Sequence, residues 1–265
     1  MTTLCLNGDC LSLMKDLSNN SIDLFMCDLP YGCLGDKRKE RPELGGKAGT
    51  QLVDCAWDIK IDLEQFWIQV KRLAKNDKTP VLMFCNTLFG ADLINSNPKW
   101  FRYDLVWNKG MGVSFLLANK MPMKSHEMIY VFSKKGANYN RIDELVEGKE
   151  AYNMDSTVRN GGRCLTIKSV IPRKQTDGKR CPLSVLKFGR IQDKKHPTCK
   201  PLDLYEWLIK RYSNEGDTVL DPTAGSFNSG RACVELKRNY IGIEMDNVFF
   251  NNNALTICKN EANKI

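Results

Sequence analysis

The chain has 265 residues, 42% of them hydrophobic, enough to bury one substantial core and to leave room for a smaller inserted module. No apolar run approaches the roughly 18 residues of a membrane span, and eleven cysteines scattered from Cys5 to Cys258 without a C-x-x-C pair fit reduced buried thiols better than disulfides or a metal site. These features predict a soluble cytoplasmic protein with neither membrane nor metal, while the net charge of +8 becomes informative only once it is located.

In chain order, Asp9 is placed to cap a short amphipathic helix carrying Leu11, Leu13, Met14 and Leu17. IDLFMC at 22–27 reads as a buried strand that delivers the turn DLPYG, residues 28–32, at its C-terminal end. That makes an α-then-β start. Residues 34–56, rich in Gly, Lys, Arg and Glu with little periodicity, read as a long mobile loop of the kind that closes over substrates. Helical spacing at Leu63, Phe66, Val70 and Leu73 leads to the next parallel strand, Val81–Cys85. Tyr103–Trp107 and Met128–Phe132 alternate as an antiparallel pair at a sheet edge would.

Between 136 and 195 the chain carries Gly161-Gly162, Pro172, Gly178 and Pro182 with only short apolar runs, which reads as a loop-rich insertion into a main domain formed by residues 1–135 and 196–265. The positive charge lies in this part of the chain: residues 120–200 hold 18 Lys and Arg against 8 Asp and Glu. Such an excess suits a polyphosphate, although a solvated charge-rich loop carries it equally well. Regular structure then returns as a helix over Leu202–Tyr212, the strand TVLD at 218–221, the turn PTAGSFNSG, a helix through Ala232, Val234 and Leu236, and the strand YIGIE at 240–244. The fold class is α/β.

Two loops fall at the C-terminal ends of strands, where doubly wound sheets bind ligands. In the loop from Asp221 to Gly230, Gly225 permits a tight turn beside a ligand, the following helix offers unpaired N–H groups, and small Ala224 and hydroxyl-bearing Ser226 suit a nucleoside cofactor. Glu244 is placed to accept from ribose hydroxyls, and no G-K-[ST] follows, which excludes a P-loop. Alone, this pattern is shared with dinucleotide enzymes and with purely structural turns. The turn at 28–32 is more specific. An exocyclic amine of adenine or cytosine is a poor nucleophile because its lone pair is delocalised, so it needs acceptors more than a strong base. The Asp28 carboxylate and the Pro30 carbonyl, aimed by the fixed φ of proline, suit its two N–H bonds. Tyr31 suits a stack on an extruded base, worth roughly 1–3 kcal/mol. In-line displacement needs no covalent intermediate, and the chain lacks the Pro-Cys dipeptide of the carbon-5 cytosine methylases.

In their order, these motifs resemble the β class of DNA amino-methyltransferases, in which a catalytic D-P-P-Y motif precedes the cofactor-binding Gly motif. NGDC at 7–10 resembles the family's N-terminal Gly-Asp element, implying that Asp9 and the Cys10 backbone contact the adenine of S-adenosylmethionine. DLPYG resembles the catalytic motif, implying catalytic roles for Asp28, Pro30 and Tyr31, with Asp28 also near the cofactor. Trp57-Asp58, HEMIYVF at 126–132 and HPTCKP at 196–201 resemble further family elements, the last implying that Lys200 lies near the methionine carboxylate. LDPTAGSFNSG followed by YIGIE resembles the cofactor site and implies that Asp221, Ala224, Gly225, Ser226, Phe227 and Glu244 bind S-adenosylmethionine. The resemblance runs from residue 7 to about residue 250. It implies a Rossmann-like methyltransferase sheet with a small target-recognition region at 136–195, double-stranded DNA as partner, N6 of a flipped adenine as acceptor, and a homodimer as one assembly open to it.

The sequence departs from the family pattern at two places. Leu29 replaces the usual first proline, but the acceptor carbonyl belongs to the next residue. Phe227 stands where a second glycine is common, so its ring must pack over the cofactor pocket or reshape it. Adenine is favoured because N4-cytosine enzymes of the family often carry Ser where Asp28 stands; N4-cytosine and RNA adenine remain alternatives. In most relatives acting on protein or ribosomal RNA the Gly loop comes first, which favours DNA here. Intact Asp28, Pro30 and Tyr31 argue against a binding protein without turnover. The only histidines, His126 and His196, lie far apart, which disfavours a zinc deaminase.

Overall fold

The computed structural model describes residues 1–32, 58–113, 115, 118–145, 179–190 and 199–262. The expected loop at 34–56, Trp57 and His196 lie outside them. The chain opens with β1 (Thr3–Asn7) and the short helix α1 (Cys10–Leu13), where the Asp9 carboxylate accepts from the Ser12 N–H at 2.9 Å. A strand therefore precedes the helix, so the expected α-then-β start is corrected to β-α-β. β1 is only half-buried, and its apolar run, Leu4-Cys5-Leu6, is too short for sequence pattern to mark it as a strand.

β2 (Leu24–Cys27) is followed by α2 (Leu63–Leu73), capped by Asp62, then by β3 (Val81–Cys85) and α3 (Thr87–Ser96), capped by Asn86. The long strands β4 (Phe101–Val113) and β5 (Lys124–Phe132) come next, then the short β6 (Glu144–Leu145), β7 (Lys179–Arg180) and β8 (Val185–Lys187). The chain ends with α4 (Leu202–Tyr212), β9 (Thr218–Asp221), α5 (Asn228–Glu235), β10 (Asn239–Glu244) and α6 (Asn247–Ala262). Among the described residues no helix is long and apolar enough to cross a membrane.

Among the described residues, eight strands form one sheet in the order β1-β10-β9-β2-β3-β5-β4-β8. Neighbours from β1 to β3 pair in parallel, and β5 runs antiparallel to both β3 and β4. The antiparallel pair expected from sequence is present, but it is not the edge: β8 pairs with β4 in parallel and closes the sheet. In β2, Leu24 and Met26 face a core built with α4, α5 and α6, while Phe25 and Cys27 face one built with α1, α2 and α3. Such continuous burial on both faces is what a central parallel strand requires.

The chain divides into two units, 1–140 with 184–265, and 141–183. In the second, β6 and β7 pair antiparallel and Arg141 grips Asp143 through two bonds of 2.6 and 2.8 Å. Residues 184–190, placed by sequence within the insertion, belong to the first unit.

Phe227, just before α5, has φ 57° and ψ 23°, the left-handed region that a glycine enters freely. Its ring is fully buried against Tyr240 and Phe250, with centroids 6.5 and 6.1 Å away. Burial worth roughly 1.5–3 kcal/mol offsets a backbone cost of roughly 1–2 kcal/mol. The ring is therefore part of the core and not of the cavity described below. Phe227→Ala, which keeps the strain and loses the ring, is expected to lower unfolding stability by about 3–5 kcal/mol. Phe227→Gly should lose about 1 kcal/mol less, and urea denaturation returning the opposite order would refute the strain.

Candidate active site

At the C-terminal ends of β1, β2, β9 and β10 lies a cavity of about 750 Å³. Asp9, Cys10, Asp28, Pro30, Tyr31 and Lys200 line it, and so do Ala224, Gly225, Ser226 and Glu244. Of the sequence candidates, only Asp221 and Phe227 do not. β2 and β9 are neighbours between which the connections diverge, so the loops that follow them open onto one crevice.

Among the described residues, each oxygen of Asp28 has one donor. The Tyr31 hydroxyl donates to Oδ1 at 2.9 Å, and the Lys200 ammonium donates to Oδ2 at 2.5 Å. Phe89 backs the Tyr31 ring at 5.2 Å in a stacked geometry. Burial and the neighbouring Asp28 charge hold the Tyr31 hydroxyl well above its usual pKa, so it stays a donor. Leu29 is 1% exposed and packs in the core on the α1–α3 side, which accounts for an aliphatic residue there. The Gly32 N–H, at φ 63°, donates to Asp58 Oδ1 at 2.8 Å, fixing the end of the turn.

Lys200 comes to Asp28 from the strap before α4. The Asn228 amide donates to the Lys200 carbonyl at 2.9 Å and the Cys199 thiol donates to Ser226 Oγ at 3.3 Å, which ties this strap to the Gly loop. Lys200 is 5% exposed. Burial pulls against its charge, but Asp28 and Glu127 more than offset this and raise its pKa. Glu127, on β5, lies 3.7 Å from Lys200 and accepts a hydrogen bond from Lys109 of β4. Its carboxyl is also buried, and Lys200 and Lys109 overcome the burial penalty to hold it below its ordinary pKa. Sequence reasoning assigned no role to Glu127 or Lys109. The available signal was an acidic residue at the head of the apolar run MIYVF.

In the Gly loop, Gly225 adopts φ 50° and its N–H donates to Glu244 Oε2 at 2.7 Å, while the Asp246 N–H takes Oε1 at 2.8 Å. Burial raises the Glu244 pKa. Asp221 sits beneath the loop, where Ser229 Oγ donates to Oδ2 at 2.5 Å and the Thr223 N–H to Oδ1 at 3.1 Å. At 1% exposure, burial pushes its pKa from 3.8 to about 7.

A family model described as DNA methylase, of the N6/N4 type, matches residues 22–254. The chain belongs to the N6/N4 DNA methylase family. This methylase is 28% identical to the DNA adenine methyltransferase YhdJ of Escherichia coli over 257 residues, 92% of this chain and 79% of that protein. Its fold is similar to that of the M1.HpyAVI–SAM complex, with TM-score 0.59 and 19% identity over 98% of this chain and 100% of that one. It is likewise similar to the cytosine-N4-specific PvuII DNA methyltransferase, with TM-score 0.62 and 15% identity over 94% of this chain and 84% of that one. The α/β sheet expected from the sequence is the sheet of these methyltransferases.

The buried Asp221 carboxyl has a signed effect on stability. The unfolded chain releases this proton near pH 4 and the folded one near 7, so the folded methylase becomes progressively less favoured across that interval. Asp221→Asn keeps an acceptor for Thr223 and removes the charge. It should raise unfolding stability by about 2–4 kcal/mol at pH 8 and by little at pH 4. Denaturant midpoints at the two pH values check this, and equal gains at both would refute it.

Proposed function

We propose that this methylase transfers the methyl group of S-adenosylmethionine to N6 of a flipped adenine in double-stranded DNA. The observation that carries the reading is the single cavity lined both by Asp28, Pro30 and Tyr31 and by the loop Ala224-Gly225-Ser226. The residues fit the cofactor. The volume suits a nucleoside ligand, Gly225 presents bare backbone, and the Thr223 hydroxyl is buried with no hydrogen-bond partner among the described residues. Asp9 and the Cys10 backbone would hold the adenine. Glu244 would hold the ribose, because a carboxylate has about four acceptor sites and two are taken by backbone N–H groups. When bound, S-adenosylmethionine supplies an activated methyl group on a sulfonium.

The chain's own groups prepare the acceptor. The Asp28 carboxylate and the Pro30 carbonyl accept the two amino N–H bonds, which favours a pyramidal nitrogen with its lone pair free. Tyr31 stacks on the extruded base, supported by Phe89. The proton released after transfer leaves through the Asp28 carboxylate. Asp at position 28 favours adenine over N4 of cytosine, and the unit at 141–183, with the basic residues around it in sequence, is the candidate for target recognition.

Incubation with labelled S-adenosylmethionine and unmethylated genomic DNA, followed by nucleoside analysis, should yield N6-methyladenine. N4-methylcytosine as the product would overturn the base assignment, and labelling of RNA alone would overturn the substrate. Asp28→Ala should lower kcat by roughly 10²–10³-fold while cofactor binding, read by calorimetry, stays within a few-fold. Full activity without that carboxylate would defeat the mechanism. Tyr31→Ala should lower kcat/KM by about 5- to 150-fold, whereas Tyr31→Phe, which keeps the stack, should retain most of the activity.

A further inference from the structure

Four charged groups stand in a row at the cavity floor: Lys109, Glu127, Lys200 and Asp28, with side-chain exposures of 11, 18, 5 and 20%. They come from β4, β5, the strap before α4 and the turn after β2. Two cations balance two anions. The spacing along the row is uneven, because the Lys200 ammonium lies 2.5 Å from Asp28 Oδ2 but 3.7 Å from Glu127 Oε2. That Oε2 atom is buried and has no hydrogen-bond partner among the described residues, while Oε1 is held by Lys109. A buried carboxylate oxygen without a donor is costly unless a second state of the molecule supplies one.

The Asp28 oxygen that Lys200 occupies belongs to the carboxylate assigned above to the target amine. An ammonium on a carboxylate withdraws the electron density an amino N–H would draw on, and a charge-assisted bond outcompetes a neutral one. Lys200 cannot simply leave, because an unpaired buried ammonium is strongly unfavourable. A movement of about 1 Å toward Glu127 would bring it to charge-assisted hydrogen-bond distance. Lys109 fixes the carboxylate that receives it.

We propose that Glu127 is a positioning residue for methyl transfer: it anchors the Lys200 ammonium beside Asp28 and takes it over through Oε2 when an amino group engages Asp28. The inference rests on the reading of Asp28 as the acceptor for the amine. Glu127 lines the cavity, and the role assigned to it is exercised through Lys200.

The test uses the full-length chain, duplex DNA and saturating labelled S-adenosylmethionine. Glu127→Gln keeps the shape and removes the charge, and it should lower kcat by roughly 10- to 100-fold, with KM for the cofactor little changed and the thermal midpoint lowered, because the buried Lys109 loses its carboxylate. Glu127→Asp should recover part of that loss. If the Gln variant fails to fold, a kcat for Glu127→Asp equal to the parent's overturns the proposal. In a Lys200→Gln background, adding Glu127→Gln should cause no further loss, because the residue through which Glu127 acts is already gone. Additive losses, or a Glu127→Gln kcat within twofold of the parent, overturn the proposal. If Asp28→Ala abolishes methylation while Glu127→Gln has no effect, only this inference fails. Full activity of Asp28→Ala removes the reading beneath it.

Discussion

Leu24 and Phe25 of β2 lie in parallel register with Val219 and Leu220 of β9, and the site depends on that pairing. The two strands are nearly two hundred residues apart, yet each ends in a loop that lines the cavity. Their register is clamped at the opposite end. The Asp23 N–H donates to the Thr218 carbonyl at 2.9 Å, the Thr218 N–H donates to Asp23 Oδ2 at 3.0 Å, and Lys75 pairs with Asp23 at 2.8 Å. A slip of one residue would exchange the two faces of β2, placing Phe25 where Leu24 packs and moving Asp28 out of the cavity wall. The apolar core therefore fixes the distance between the two loops.

The polar floor of the cavity works against stability. Lys200, Glu127 and Lys109 are each removed from water, and a hydrophobic set of similar volume would serve the fold at least as well. Asp221 is a still clearer case, since among the described residues its carboxyl has two donors but no cation near enough to offset its burial. Such groups persist where geometry matters more than stability. Asp221 receives the Thr223 N–H and the Ser229 hydroxyl, and so joins the start of the Gly loop to α5.

Much of this architecture was legible in the sequence because its central strands are buried on both faces and read as unbroken apolar runs. The turn at 28–32 and the Gly loop were legible as residue patterns, and both line the cavity. The edges were not. β1 is short and half-buried, and β8 is three residues in a basic, Pro-bearing stretch, ordered by pairing with β4 nearly eighty residues earlier. α3 was hidden by Gly90, which is there because a Cβ would meet the Tyr130 ring at 2.8 Å, a contact no local window contains. The charge row was illegible for the same reason: Glu127 and Lys200 are adjacent only after β5 joins β3 and the strap folds over the Gly loop.

The two departures from the family pattern share a cause. At position 29 the side chain enters the core on the α1–α3 side, and at position 227 it enters the core on the α4–α6 side. On the function proposed above, what the chain offers a ligand near these positions is backbone: the carbonyl that follows Leu29, and the loop before α5, which bends at Phe227 with φ 57°. Where main-chain atoms perform a task, the side chain is constrained by its packing and not by the ligand. Phe227 can thus replace a smaller residue once Tyr240 and Phe250 enclose its ring. Asp28 has no such latitude, because its oxygens meet Tyr31 and Lys200 directly and no main-chain group stands in for a carboxylate. Drift is therefore expected at motif positions whose side chains face the core, and identity at those whose side chains face the cavity.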